Sequence, residues 1–233
     1  MAQPDVVDLP TYALFAGLGL AAALATSRLM KYPARQAGVA TNSFLPALAL
    51  GAIVGAKLPV LMSYGFSREL LWSGKSYFGA LLGGFLAINI AKAARGIKGH
   101  FGDRFVVPLC VGVAVGKLGC HAAGCCSGLP TDFILATVNR SGVAVHPAPL
   151  YEAAFQAILA VMFVYLYKAG KFLGSHFQVY LLSYMAFRFA IEFIRAEPRV
   201  LFNLTVYQWL AILFIPLFSV SLMMRPKHDA APA

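Results

Sequence analysis

The sequence has little charge. Asp, Glu, Lys and Arg make up only 12% of its 233 residues, whereas 60% are hydrophobic and the mean hydropathy is +0.73. A water-soluble globule cannot hide that much apolar surface, so this scarcity excludes a soluble domain as the body of the chain. Internal repeats and low-complexity linkers are also missing, which leaves one domain as the economical organisation. The four cysteines, Cys110, Cys120, Cys125 and Cys126, have neither the paired C-x2-C spacing of structural zinc nor the pattern of a secreted disulfide framework. A cleavable export signal is not expected either. The first apolar run follows Asp5 and Asp8 instead of a basic segment, and it is too long for a signal core.

What is present is a series of apolar runs, each long enough to cross roughly 30 Å of hydrocarbon as a helix of about 20 residues. The expected spans are 10–30, 42–64, 76–94, 105–126, 149–167, 176–195 and 204–224. The expected fold is therefore all-α: one polytopic transmembrane domain of about seven helices over 1–233, with short tails at 1–9 and 226–233. Basic residues collect in alternate joins: Arg28, Lys31 and Arg35; Lys92, Arg95, Lys98 and Arg104; Lys168 and Lys171; Arg225 and Lys227. These joins should face the cytoplasm, with the amino terminus outside and the carboxyl terminus inside. The net charge of +10 is spread across those joins, which suits anionic head groups and not nucleic acid, so no nucleic-acid partner is expected. The long outer join, 127–148, is the candidate lid or substrate-contacting arm.

Helix four carries Gly112, Gly116, Gly119, Gly124 and Gly128. Glycine is a poor helix-interior residue, so this segment should break or pack very closely. Irregular backbone at membrane depth is tolerated only when buried in protein or lining a wet cavity, so a broken helix four is expected to wall a lateral cavity.

Charged residues within apolar spans are functional candidates because they are costly there. Lys57 lies in helix two, Lys117 and His121 in helix four, Glu152 at the start of helix five, and Arg188, Glu192 and Arg195 in helix six. The spacing of the last three puts them on one helix face. Together these residues make a plausible cradle for a phosphate-bearing head group, since arginine donates two parallel hydrogen bonds to phosphate oxygens. The competing structural reading is an internal salt bridge, Arg188 to Glu192 above all. His146 is a proton shuttle or an interfacial side chain; His100 and His176 read as water- or lipid-facing. Tyr207 and Trp209 read as part of an interfacial aromatic belt.

The order of features resembles the prolipoprotein diacylglyceryl transferases. It runs from Pro10-Thr11-Tyr12 through GAIVGAKL, SYFGALLGG, the Gly-Lys-x-Gly of helix four and HPAPLYE to RFAIEFIR, covering about 9–222. The resemblance implies a seven-helix enzyme of the bacterial cytoplasmic membrane. Such an enzyme moves the diacylglyceryl group of phosphatidylglycerol to a lipoprotein-precursor cysteine and releases glycerol phosphate. Arg188, Glu192 and Tyr12 match family positions; taken with the intramembrane charges and the thiols, the candidate catalytic residues are Lys117, Cys120, Cys125, Arg188 and Glu192, and the candidate substrate contacts are Tyr12, Lys57, His146, Tyr151, Glu152 and Arg195. No cofactor or metal is expected from the resemblance.

In the family's central signature this chain keeps Gly116, Gly119, Gly124 and Gly128. Lys117 stands in place of arginine, Cys120 and Ala123 in place of two asparagines, and Cys125 in place of glutamate, while the family's helix-three histidine falls on Phe78. The cysteines have three readings: packing of a crowded turn, a nucleophile activated by Lys117 or His121, or a metal or redox site, for which C-x4-C-C is a poor spacing match. A non-catalytic phospholipid-binding or transporting protein and a thiol redox or metal protein are the alternative functions.

Overall fold

The computed structural model describes residues 7–30, 41–68, 71, 74–97 and 102–224. Lys31, Arg35, Lys98, His100, Arg225 and Lys227 lie outside the described residues. Seven long helices follow one another among the described residues: α1 (Leu9–Leu29), α2 (Leu45–Tyr64), α3 (Tyr77–Ala94), α4 (Asp103–Ala122), α5 (Ala148–Lys168), α6 (His176–Ile191) and α7 (Val206–Met223). Six are long and apolar enough to cross a membrane; α6, at 16 residues, spans only about 24 Å. The chain is an all-α polytopic membrane protein. Its only described sheets are two small hairpins, β1 (Thr137–Val138) with β2 (Ala144–Val145), and β3 (Arg199–Leu201) with β4 (Leu204–Thr205).

Local chemistry sets the helix starts. Asp8 caps α1 by accepting from the Thr11 N–H at 3.2 Å, with Pro10 in the first turn. The Thr11 backbone and hydroxyl bonds, followed by the Arg140 charge, hold the Asp8 carboxyl below the usual aspartate range. The expected tail at 1–9 is thus shorter than expected, because its last two residues already cap and begin α1. Ser76 caps α3 through the Gly79 N–H, and Thr205 with Gln208 forms a reciprocal capping box at α7.

Packing of α2 on α3 and of α1 on α4 depends on small residues. A side chain added at Gly51 would meet the Gly83 carbonyl, and one added at Gly55 would meet the Gly79 carbonyl. Gly19 stands in the same relation to Gly112. Without a hydrophobic drive between helices in lipid, close backbone approach of this kind is a main source of association. Apolar side chains such as Leu14, Leu18, Leu50, Ile53 and Leu213 are left facing outward, as a lipid-facing surface requires. The centre is aromatic: Phe78, Phe163, Tyr180, Tyr184 and Tyr207 are all buried.

Three expectations change. Helix four leaves its helical path late in the expected span: α4 runs unbroken to Ala122 and the irregularity occupies 123–128, beginning four residues before the expected end at 126. Its glycines serve close packing up to that point, and the chain then reverses through Gly124, at φ +70°, and Cys126, at φ +64°. Helix six stops at Ile191 and not at 195, with Glu192 at its C-cap. Arg195 instead pairs with Gly128 in a single antiparallel bridge. His176 is fully buried, with Nε2 at 2.7 Å from the Lys171 carbonyl and Nδ1 at 3.9 Å from Asp103, so it does not face water or lipid.

Candidate functional site

The long join between α4 and α5 does not hang free. The Gly128 N–H donates to the His146 carbonyl at 2.8 Å, the His146 N–H to Leu129 at 3.0 Å, and the Leu129 N–H to Ile194 at 2.8 Å. These bonds tie the turn after α4, the approach to α5 and the end of α6 into one knot. The ends of α2, α4 and α6 and the starts of α1, α3, α5 and α7 all lie at this pole of the bundle.

Beneath the knot, Lys117 reaches Glu152 at 2.8 Å, and the Tyr184 hydroxyl donates to the other oxygen of the same carboxylate at 2.7 Å. Glu152 has no exposed surface. Arg188 pairs with Glu192 at 2.7 Å, and Arg195 with Glu197 at 3.1 Å and with Glu192 at 3.5 Å. Glu197 also stands 3.9 Å from Arg188 and accepts from the Tyr64 hydroxyl at 3.1 Å. Buried charges persist only when paired in this manner, and here three cations face three carboxylates. Neither Arg188 Nε nor Arg195 Nη1 has a hydrogen-bond partner among the described residues.

A cavity of about 300 Å³ adjoins this network. Lys75, Lys117, Arg188 and Arg195 line it as cations, Glu197 is the carboxylate on its wall, and Phe78, Tyr184, Tyr207 and Cys126 contribute the rest of its chemistry. The Arg188 guanidinium lies 4.5 Å from the centre of the Tyr207 ring, a cation–π contact that holds its plane. Tyr207 is therefore a buried part of the site and not a member of an interfacial belt. Trp209 bonds the Leu201 carbonyl through Nε1 at 3.1 Å.

The sequence-predicted residues divide into three groups. Lys117, Glu152, Arg188, Glu192 and Arg195 come together as expected. The Cys120, Cys125 and Cys126 sulfurs lie within 4.8 Å of one another at the turn, graded from buried through intermediate to exposed, and Tyr12 on α1 lies within electrostatic reach of all three. Lys57 does not join the cluster: its Nζ donates to the Gly74 carbonyl at 2.7 Å and anchors the approach to α3. His146 and Tyr151 face each other, Nδ1 to hydroxyl, at 3.4 Å beneath the knot and off the cavity wall.

Sequence reasoning missed Glu197, Lys75 and Tyr64. Glu197 falls in the short Arg-Ala-Glu-Pro join after the expected span, where a charge looks unremarkable, although a carboxylate so close to two intramembrane arginines was a usable signal. Phe78, which stands where the resemblance puts histidine, faces the cavity between Tyr184 and Tyr207, with ring centroids 6.2 and 5.9 Å away. The substitution thus falls inside the site.

Comparison with known proteins bears on the whole chain. The model of the prolipoprotein diacylglyceryl transferase family matches residues 4–224. A phosphatidylglycerol–prolipoprotein diacylglyceryl transferase of Bordetella bronchiseptica is 30% identical over 181 residues, 70% of this chain and 69% of the relative. Its counterpart in Nitratidesulfovibrio vulgaris is 26% identical over 212 residues, 84% of this chain and 80% of the relative. With that of Clostridium tetani the match is 27% over 136 residues and spans 55% of each chain. The chain belongs to the prolipoprotein diacylglyceryl transferase family.

Proposed function

We propose that the protein transfers the diacylglyceryl group of phosphatidylglycerol to the cysteine thiol of a prolipoprotein, the reaction named for its relatives. The observation that carries this is the cationic wall of the cavity, to which Lys75, Lys117, Arg188 and Arg195 all contribute. In the reaction the acceptor sulfur forms a bond to the glyceryl carbon. The ester bond from that carbon to the phosphate oxygen breaks, and the electron pair leaves with glycerol phosphate. Fixed donors aimed at the charge that develops on the leaving phosphate lower the barrier most. Arg188 and Arg195 fill that role, Lys117 and Lys75 add to the field, and Glu152 and Glu192 keep the buried cations oriented. The thiol proton leaves to water in the cavity, since Phe78 can accept none and Glu197 is held by Arg188 and Arg195.

The same proposal places the chain as one transmembrane domain in the bacterial cytoplasmic membrane. The start of α1 and the cavity would be outside and the end of α7 cytoplasmic, with Arg28, Lys92, Arg95, Arg104, Lys168 and Lys171 on the cytoplasmic side. Tyr12, Tyr151 and His146, near the knot, are proposed to meet the incoming peptide.

The test is purified protein in liposomes of labelled phosphatidylglycerol with a peptide carrying the acceptor cysteine. A thioether-linked diacylglyceryl peptide and an equal amount of glycerol phosphate are expected. Intact phosphatidylglycerol that co-purifies and is never consumed would instead identify a phospholipid-binding protein.

A further inference from the structure

Cys110 and the three cysteines of the turn show two different uses of the same residue. Cys110 is completely buried in the aromatic core of α4, as a small apolar side chain should be. Cys125 and Cys126 are not: one is half-buried, the other exposed on the cavity wall. Packing therefore does not account for them. The turn that carries them is also held in a costly conformation. The Cys125 N–H donates to the Cys120 carbonyl at 2.9 Å, Gly124 turns left-handed, and Cys126, with a side chain, follows at φ +64°. A non-glycine residue in that region is uncommon and persists where its surroundings enforce it, often at functional sites. The outcome is three sulfurs within 4.8 Å of one another.

We propose that Cys120, Cys125 and Cys126 hold one zinc(II) ion through three thiolates, with its fourth position turned toward the cavity that Arg188 and Arg195 line. Zinc–sulfur bonds of about 2.3 Å in a tetrahedron set the sulfurs about 3.8 Å apart, so closure around the ion needs a contraction of about 1 Å. Sequence spacing argues against a metal only for ligands presented on regular zinc ribbons and fingers; here the reversal at 123–126 brings the third and second ligands back over the first. Three thiolates and a dication carry a net charge of minus one, and Cys126 stands on a cavity wall that also carries Lys75, Lys117, Arg188 and Arg195. Three protein ligands with one position open is the arrangement of catalytic and not structural zinc.

The zinc would activate the acceptor thiol by acidifying it, and in that respect the site rests on the function proposed above. Glu197 is held by two arginines and is a weak acceptor for a thiol proton. A thiol that coordinates zinc gives up its proton outright. The acceptor cysteine would bind at the open position as thiolate, its proton passing to cavity water, and its sulfur would then attack the glyceryl carbon as that carbon's bond to the phosphate oxygen breaks. No oxidation or reduction is involved.

The experiment is metal analysis of the full-length protein purified in detergent, with zinc affinity measured against a chromophoric chelator and cobalt(II) used as a spectroscopic substitute. Wild type and Cys110→Ala should each bind one zinc per chain and show the charge-transfer intensity of three thiolates. Loss of second-shell support alone costs about 10–100-fold in metal affinity, so Cys120→Ala and Cys126→Ala, which lose direct ligands, should weaken binding at least that much. Equal zinc affinity in wild type and in both variants, stoichiometric copper(I) in place of zinc, or a thiol count showing two of the three sulfurs oxidised to a disulfide would each overturn the site. Zinc at one per chain with no thioether product keeps the site and defeats the transferase reading. Product formed equally with and without zinc keeps the transferase and defeats the metal's part in it.

Discussion

Glu152 is a carboxylate with no exposed surface, held by an ammonium group on one oxygen and a phenol on the other. Its removal leaves Lys117 as an uncompensated buried charge. Breaking a buried pair from one side costs about 3–5 kcal/mol, so Glu152→Gln should lower the melting temperature in detergent far more than Lys57→Met, whose ammonium bonds a backbone carbonyl near the surface of the fold. Arg188 differs from Glu152 in that its geometry, and not only its charge, is used: Nη2 pairs with the Glu192 carboxylate and its plane lies against Tyr207. Lysine keeps the charge and loses the fork. Arg188→Lys should therefore fold with nearly unchanged stability while transferase turnover falls by about 10²–10³-fold, the loss typical of one misplaced donor to a developing oxyanion. Liposome kinetics together with a thermal melt separate those two effects.

At the scale of elements, the helix pairs are fixed by what is missing between them. Gly51 and Gly55 on α2 face Gly83 and Gly79 on α3, and any larger side chain there meets backbone. Gly55→Leu should destabilise the bundle by about 1–3 kcal/mol through overpacking, measurable as a loss of helical signal at a lower denaturant concentration. The outward-facing Leu50→Ala should change little. The seven helices were legible in the sequence because hydrophobic length is a strong signal; two helix ends moved by about four residues. At Ile191 the chain leaves the helix to pair with the turn after α4, a long-range choice that no local pattern in FAIEFIRAEP announces. At Ala122 the glycine-rich pattern announced a break or close packing, and both occur: the glycines before it pack helices while Gly124 turns the chain. In the site, the intramembrane charges were legible because each is costly alone. Glu197 and Tyr207 were not, since a loop acid and an aromatic near a helix start both have ordinary explanations on the surface. Lys57 was misjudged because sequence position fixes depth but not direction, and its side chain turns to Gly74 instead of the cavity.

At the scale of the molecule, the charged cavity, the cysteine turn and the tied join between α4 and α5 share one pole, and the basic joins of the described residues, from Arg28 to Lys171, share the other. The proposed orientation can be tested with the exposed positions Ser141, at the tip of the first hairpin, and Ala169, after α5. A membrane-impermeant maleimide added to intact cells, followed by mass measurement against wild type, should add one label to Ser141→Cys and none to Ala169→Cys; the reverse pattern would invert the topology. The separation of the two poles also has a practical side. Along α5, Ala169 stands 17 residues beyond Glu152, about 26 Å away. A fluorescent protein, an affinity tag or a binder epitope installed at that far pole should leave the chemistry alone. The same addition at the first hairpin would pull on the backbone bonds that hold the cysteine turn.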